Sequence, residues 1–397
     1  MNFASKLFCR VFQGAFHLAL PLLPYREPAL HSSTAEVPQI LKEKNITAVL
    51  LVTDQGLRAG AEALAALLEE GGIRCALYSG TNANPTVDNV EEALALYRKG
   101  SCQGLIAYGG GSPMDCAKAV GARVVYPKKQ VGQMKGLLRV LRRLPLLIAI
   151  PTTAGTGSEV TVTAVITDPV HKHKYTMNNF SMIPRHAVLD PKVTLSLPPH
   201  LTATTGMDAL THAVEAYIGG STSKETRRLA LEAVGLIFEN IEKAYRDGSD
   251  LTARAAMLQA SYKAGIAFSK SYVGYIHAVA HSLGGQYNIP HGLANAVLMP
   301  YVLEDYGAAA HKKLAQLAAA AGITGETDRQ AAEKFIAAIR ELNRRMGIPA
   351  TLPGIKKEDI PQMAAHAAKE ANPLYPVPKL MNAKELQRFY NIIGENL

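Results

Sequence analysis

Between residues 48 and 197, short apolar and β-branched runs alternate with Ala- and Leu-rich segments of helical length, and after Pro198-Pro199 the short runs stop. Residues 48–53, 75–78, 104–108 and 146–150 read as strands, because near-continuous apolar runs of this length suit strands buried on both faces. Residues 59–70, ending at Gly71-Gly72, and 87–99, ending at Gly100, read as helices stopped by glycine. Such alternation builds a parallel sheet covered by helices on both sides. From residue 199 to the end only long helical patterns remain. The expected architecture is an α/β domain over 1–198 and an all-helical domain over 199–397. A chain of 397 residues also exceeds the roughly 250–300 at which single cores stop growing. Residues 1–46 form an atypical lead-in. Leu7, Phe8, Val11, Phe12 and Phe16 suit an amphipathic helix that docks on the body better than a secretory signal, and a Pro-rich stretch over 20–28 follows.

The net charge of +9 invites a nucleic-acid reading, but it is local. Seven basic residues and no acid lie between 122 and 145, and the first thirty residues carry the rest of the excess. The patch has one aromatic, Tyr126, so a stacking platform for single strands is not expected. A solvated face is the expectation, with an anionic-polymer binder through 122–145 as the outside alternative. Four cysteines without paired spacing suit a reducing, cytoplasmic setting. No apolar run of about 18 residues predicts a membrane span.

The third strand opens into Gly109-Gly110-Gly111-Ser112, and Pro113 follows where a helix begins. Glycines let backbone approach a phosphate, and a helix start offers unpaired N–H groups. After the fourth strand comes a hydroxyl-rich loop bearing Thr152, Thr153, Thr156 and Ser158. Two such loops at strand ends predict a Rossmann-like dinucleotide crevice, although the G-x-G-x-x-G fingerprint is missing after the first strand. Asp54 closes that first strand. It could accept from ribose hydroxyls and repel a 2′-phosphate, which favours NAD over NADP.

The helical half concentrates histidine. Asp208 and His212 are an i, i+4 pair, His277 and His281 are another, and His291 starts a helix after Pro290. Residues four apart on a helix lie one above the other and can clasp one cation. One carboxylate and three imidazoles suit Fe²⁺ or Zn²⁺ with a position left open. A nucleotide crevice in one domain and a metal in the other imply hydride transfer between the domains. A divalent cation lowers the pKa of a bound alcohol, and the alkoxide can release hydride to nicotinamide.

Four segments carry a family resemblance: Gly109-Gly-Gly-Ser-Pro-Met-Asp115-Cys-Ala-Lys118; Pro151-Thr-Thr-Ala-Gly-Thr-Gly-Ser-Glu159; Gly206-Met-Asp208-Ala-Leu-Thr-His212-Ala-Val-Glu215-Ala; and His277-Ala-Val-Ala-His281-Ser-Leu-Gly284 with Pro290-His291-Gly-Leu-Ala-Asn295. From about residue 47 onward the chain resembles the iron-containing (group III) alcohol dehydrogenases, which share the architecture of dehydroquinate synthases. The resemblance implies metal ligands at Asp208, His212, His277 and His291, with Fe²⁺ the first choice and Zn²⁺ the second. It implies nucleotide contacts at Asp54, Asn84, Gly110, Gly111, Ser112, Asp115, Thr152, Thr153, Thr156, Ser158, Lys174 and Phe268. It places His281 near the metal without making it a ligand, and we read His281 as a substrate or proton-relay residue, catalytic together with the ligand His277. The expected activity is a metal-dependent, NAD(H)-linked alcohol dehydrogenase or aldehyde reductase acting on a small primary alcohol, diol or aldehyde. A glycerol- or diol-dehydrogenase-like enzyme is the alternative. The expected assembly is a homodimer or larger homo-oligomer, without nucleic-acid or membrane partners. The chain departs from its relatives at Lys270, Tyr272 and Tyr275, where many carry Asn or smaller residues. That segment borders the substrate pocket in the family. The opening strands of the family are also not evident in the first forty residues.

Overall fold

The computed structural model describes residues 1–19, 24–169 and 173–395. Part of the Pro-rich lead-in (20–23) and His171 and Lys172 of the basic run before Lys174 lie outside the described residues. By contacts the chain divides into Pro24–Ser196 and a second unit made of Met1–Leu23 and Leu197–Leu397.

Pro24–Ser196 is an α/β unit. The four expected strands form as β2 (Ala48–Val52), β3 (Arg74–Tyr78), β4 (Gly104–Gly109) and β6 (Leu146–Pro151). With β1 (Ala29–His31) and β9 (His186–Val188) they make a six-stranded sheet of order β1-β9-β6-β4-β2-β3, and every pairing is parallel. Both faces are apolar because alternate residues serve different cores. Leu50, Val52, Leu105, Ala107, Leu147 and Ala149 pack under α4 (Val87–Lys99) and α5 (Gly111–Val125). Val49, Leu51, Ile106, Tyr108, Ile148 and Ile150 pack under α2 (Val37–Glu43) and α3 (Arg58–Glu70). A one-residue slip in any strand would exchange the two sets, so the packing fixes the register.

Five strands among the described residues, β1 and β9 of this sheet and three others, are not expected from the sequence. β1 is a three-residue edge strand inside the stretch expected to lack strands, and it pairs with β9. β7 (Thr163–Asp168) and β8 (His173–Asn178) pair antiparallel, and β5 (Gly136–Leu137) adds to β8.

In the second unit, α6 (Pro199–Ile218) is the central helix, packed against α7 (Lys224–Arg246), α8 (Leu251–Ser271) and α10 (His291–Tyr306). α9 (Tyr275–Tyr287) lies against α10 and α11 (Ile360–Ala371), and α12 (Ala383–Ile393) packs on α11. The N-terminal helix α1 (Phe3–Ala19) belongs to this helical unit rather than to the α/β half with which residues 1–46 were grouped. Its docking face also differs from expectation. Phe3 and Leu18 are 81% and 78% exposed, and Leu7, Phe8 and Val11 also face solvent. Cys9, Gln13 and Arg10 make the contact instead. No helix among the described residues is long and apolar enough to cross a membrane.

Candidate metal and nucleotide sites

Asp208 and His212 project from α6, His277 from α9, and His291 is the first residue of α10. One ligand atom from each lies within 4.8 Å of the others. His277 Nε2 is 3.9 Å and His291 Nε2 is 3.5 Å from Asp208 Oδ1. The His212 and His277 rings stack with centroids 4.6 Å apart. His277 Nε2 is buried and has no hydrogen-bond partner among the described residues. Burial, and then the neighbouring histidines, hold His277 well below its ordinary pKa. Neutral imidazoles packed ring to ring with lone pairs converging on one carboxylate would be a costly arrangement without a cation, and they fit one.

The helices that bring these groups together meet closely. A Cβ on Gly292 would run into the Thr204 carbonyl of α6, so the residue after His291 must be glycine for α10 to reach Asp208. On the other side, Gly274 N–H (2.7 Å) and Ile276 N–H (2.8 Å) donate to the Glu215 carboxylate. A Cβ on Gly274 would lie 2.7 Å from Glu215 Oε1. Glu215 Oε2 also takes His277 Nδ1–H at 2.6 Å. Burial pushes this carboxyl up to about 7, against the three donors that lower it. Glu215 thus fixes the His277 tautomer and turns Nε2 toward the cluster. Asn295 does the corresponding work on the other flank, with Nδ2 2.7 Å from Asp208 Oδ1 and 3.1 Å from His291 Nε2.

Neither Glu215 nor Asn295 is among the site residues expected from the sequence. The signal was available, since Glu215 follows His212 by three positions on the same helical face and Asn295 follows His291 by four.

His281 lies beside the four candidate ligands, its ring stacked on His291 with centroids 5.1 Å apart. Its Nδ1 is 2.6 Å from Glu370 Oε1, and Tyr375 O–H donates to the same oxygen at 2.8 Å. Burial alone would lower the His281 pKa, and the Glu370 carboxylate outweighs it and raises it. Phe268 stacks on His212 with centroids 4.1 Å apart, so this nucleotide candidate sits against a metal-ligand candidate in the helical unit.

In the α/β unit the nucleotide candidates gather at the carboxyl ends of adjacent strands. Gly109 pairs with Pro151 and Val52 with Ala107, which sets the loops after β2, β4 and β6 side by side. Strand ends at such a point form the ligand crevice of open parallel sheets. Asp54 caps the turn after β2 by accepting from Leu57 N–H at 3.1 Å. Ser112 O–H reaches the Ala83 carbonyl, and Lys174 Nζ donates to Asn84 Oδ1 at 3.0 Å. Asp115 is different in kind. Its two oxygens take Ser158 O–H (2.9 Å) and Val165 N–H (2.9 Å), so it braces the hydroxyl loop and β7. Buried Lys118 completes the brace, donating to Ser158 Oγ (3.0 Å), Thr161 Oγ1 (2.9 Å), and the carbonyls of Thr161 (3.1 Å) and Thr163 (2.8 Å). Cys116 is fully buried, and burial pushes its thiol up to about 12, which makes it a packing residue.

Glu159 in the same loop is buried, its Oε1 has no partner among the described residues, and burial pushes its carboxyl up to about 7. A raised folded-state value means the stabilising contribution is full below the unfolded pKa near 4.5 and is lost as pH rises through 7. Glu159→Gln should therefore gain stability relative to the parent as pH rises from 4.5 to 7, by about 2 kcal/mol, in urea melts at both ends of that window. A difference that stays constant with pH would show that Glu159 is ionised throughout.

The basic stretch from 122 to 145 is partly structural. Buried Arg123 pairs with Glu91 at 2.6 Å and donates to the carbonyls of Tyr126, Pro127 and Lys129, while Lys129 and Arg142 lie over the Tyr126 ring.

Comparison with known proteins gives the same division of the chain. The model of the iron-containing alcohol dehydrogenases matches residues 31–191, and that of the C-terminal domain of the Fe-containing alcohol dehydrogenase family matches 202–393. The chain belongs to the iron-containing alcohol dehydrogenase family. It is 39% identical over 383 residues to the 1,3-propanediol dehydrogenase of Klebsiella pneumoniae, covering 94% of this chain and 98% of that protein. It is also 39% identical over 287 residues to an NADPH-dependent butanol dehydrogenase of Clostridium saccharobutylicum, covering 72% and 74%. A crystal structure of 1,3-propanediol oxidoreductase superposes with a TM-score of 0.89 at 38% identity, covering 93% of this chain and 99% of that one. The protein is an oxidoreductase of the alcohol dehydrogenase class, with the Rossmann-like sheet and helical half of that family.

Proposed function

We propose that this alcohol dehydrogenase oxidises short primary alcohols or diols, or reduces the matching aldehydes, using NAD(H) and a divalent cation held by Asp208, His212, His277 and His291. The four converging ligand atoms carry this reading. A carboxylate and three imidazoles suit Fe²⁺ or Zn²⁺, and Fe²⁺ is the first choice. When bound, such a cation supplies Lewis-acid chemistry that lowers the pKa of an alcohol.

The protein's own residues do the rest. Glu215 and Asn295 orient the ligands. His281, held through Nδ1 by Glu370, offers its other nitrogen for proton transfer. The glycine turn of Gly110, Gly111 and Ser112 and the hydroxyls of Thr152, Thr153, Thr156 and Ser158 bind the dinucleotide phosphates at the start of α5. Asp54 accepts from ribose and repels a 2′-phosphate, which supports NAD over NADP. Asn84, Lys174 and Phe268 add nucleotide contacts, and Asp115 acts through Ser158. The reading includes homo-oligomeric assembly in the cytoplasm. A diol as substrate is favoured by the 39% identity to a propanediol dehydrogenase.

The test is a panel of short alcohols, diols and aldehydes with NAD and NADP, using protein stripped of metal and reloaded with Fe²⁺ or Zn²⁺. Turnover that depends on the added cation and prefers NAD is expected. Activity that survives stripping would overturn the metal reading. An NADP preference would overturn only the role given to Asp54. In the same assay His281→Ala should lose activity and flatten the pH profile; an unchanged profile would remove it from proton transfer.

A further inference from the structure

Tyr272 stands at the C-terminal end of α8 with φ 64° and ψ −179°. This region is open to glycine and strained for every other residue, more so for a bulky one. A strained residue persists only where its surroundings over-determine it, and here three groups do so. Tyr272 N–H donates to the Phe268 carbonyl at 2.7 Å, which ties it one turn beyond the ring stacked on His212. The Tyr375 ring lies 6.2 Å from its own. Phe16 of α1 packs edge-on against it, with centroids 5.1 Å apart and planes at 72°.

α1 grips the same region through a stripe with a spacing of three. Arg10 donates to the carbonyls of Val377 (2.8 Å) and Pro378 (2.9 Å). Buried Gln13 donates to those of Tyr375 (2.7 Å) and Pro373 (3.2 Å). Phe16 completes the stripe. The helix therefore spends Arg10, Gln13 and Phe16 on the segment carrying Tyr375 and Tyr272, while its larger apolar face, with Phe3, Leu7, Phe8, Val11 and Leu18, stays in solvent. A helix docked only for stability would bury that larger apolar face, which offers more area.

The gripped residues close a circuit around the candidate metal centre. One flank runs from His212 through Phe268 to Tyr272. The other runs from His291 through His281 and Glu370 to Tyr375. The Tyr272–Tyr375 contact joins them. Two rings in contact at that separation leave no passage for an alkyl chain between them.

We propose that α1 is a working part of the substrate site, clamping Tyr272 and Tyr375 as an aromatic wall that restricts the alcohol to short chains. Tyr272 and Tyr375 are specificity-determining residues, and Phe16, Gln13 and Arg10 are positioning residues that act through them. This rests on the reading of Asp208, His212, His277 and His291 as the centre at which the alcohol reacts.

The experiment compares the full-length, metal-loaded parent with Phe16→Ala and Tyr272→Gly. Two readouts are needed: kcat/KM for 1-hexanol relative to 1-propanol with NAD, and saturation-transfer NMR, which reports alcohol contact whether or not turnover occurs. Tyr272→Gly places glycine in a conformation natural to it, so this variant keeps the test valid if Phe16→Ala folds poorly. In the parent, 1-propanol should show contact and 1-hexanol little. In both variants the hexanol-to-propanol ratio should rise about tenfold or more, mainly through KM, with new hexanol signals. A purely structural helix would lower melting temperature and slow both alcohols alike with the ratio unmoved, which overturns the proposal. So would a parent that contacts both alcohols equally while turning them over. If no alcohol is bound or turned over by any of the three proteins, the alcohol reading of the centre fails and the wall fails with it.

Discussion

His277→Ala is expected to lower turnover by about 10³-fold or more and to leave the purified protein largely without bound metal. Three features concentrate that effect on one side chain. Its Nε2 is buried, has no hydrogen-bond partner among the described residues, and points into the cluster with Asp208. Its Nδ1 is committed to Glu215, so the ring has one orientation available. The substitution also leaves the buried Glu215 carboxylate with two backbone donors and no imidazole. Metal content by elemental analysis, read beside turnover, separates the causes. Glu215→Gln is the graded companion, because an acceptor oxygen remains while the charge is lost. It should weaken metal affinity by roughly 10–100-fold, as other supports of metal-ligating histidines do when removed. Full metal occupancy in His277→Ala would sink the ligand assignment.

Lys118→Met should destabilise the α/β unit by about 3–4 kcal/mol, a fall in its Tm of roughly 10 °C. Lys118 is fully buried and makes four hydrogen bonds within one loop and strand start. Burial lowers its pKa to about 8, while Asp115 and Glu159 raise it, so near neutral pH it is held charged by those carboxylates. Methionine fills the volume but removes the donor from the Thr161 and Thr163 carbonyls and the positive charge that favours the Asp115 carboxylate. Ser158 loses one of its two anchors, so the KM for the dinucleotide should rise together with the loss of stability. Adding Asp115→Asn should recover part of the lost stability, because the pair is coupled. A Tm within about 2 °C of the parent would show that the loop is held by other means.

What could be read from the sequence was what local spacing encodes. The sheet strands announced themselves as apolar runs, and the structure supplied their order and the reason both faces are apolar. The i, i+4 pairs at Asp208/His212 and His277/His281 put the donor groups on helical faces, but spacing alone could not say which histidines would converge. In the structure the close Gly292 contact brings the start of α10 against α6, and His281 turns to Glu370 instead. The β7–β8 hairpin was missed because its strands are short and rich in polar residues, although they are neighbours in the chain and Tyr175 and Met177 alternate with Lys174 and Thr176. Glu370 was missed because nothing local marks a carboxylate 89 positions from its histidine.

The N-terminal helix shows the division most sharply. Its helical period follows from its own residues, because a spacing of three and four is a local property. Which face it presents does not, since that depends on what waits in the docked position. Here that is a row of carbonyls at Pro373, Tyr375, Val377 and Pro378, and a tyrosine held at positive φ. By itself the sequence determined the two kinds of architecture, the family and the donor types of the metal centre. Only the tertiary structure decided which side chains hold those donors and which face α1 presents, because those outcomes depend on contacts between residues tens to hundreds of positions apart.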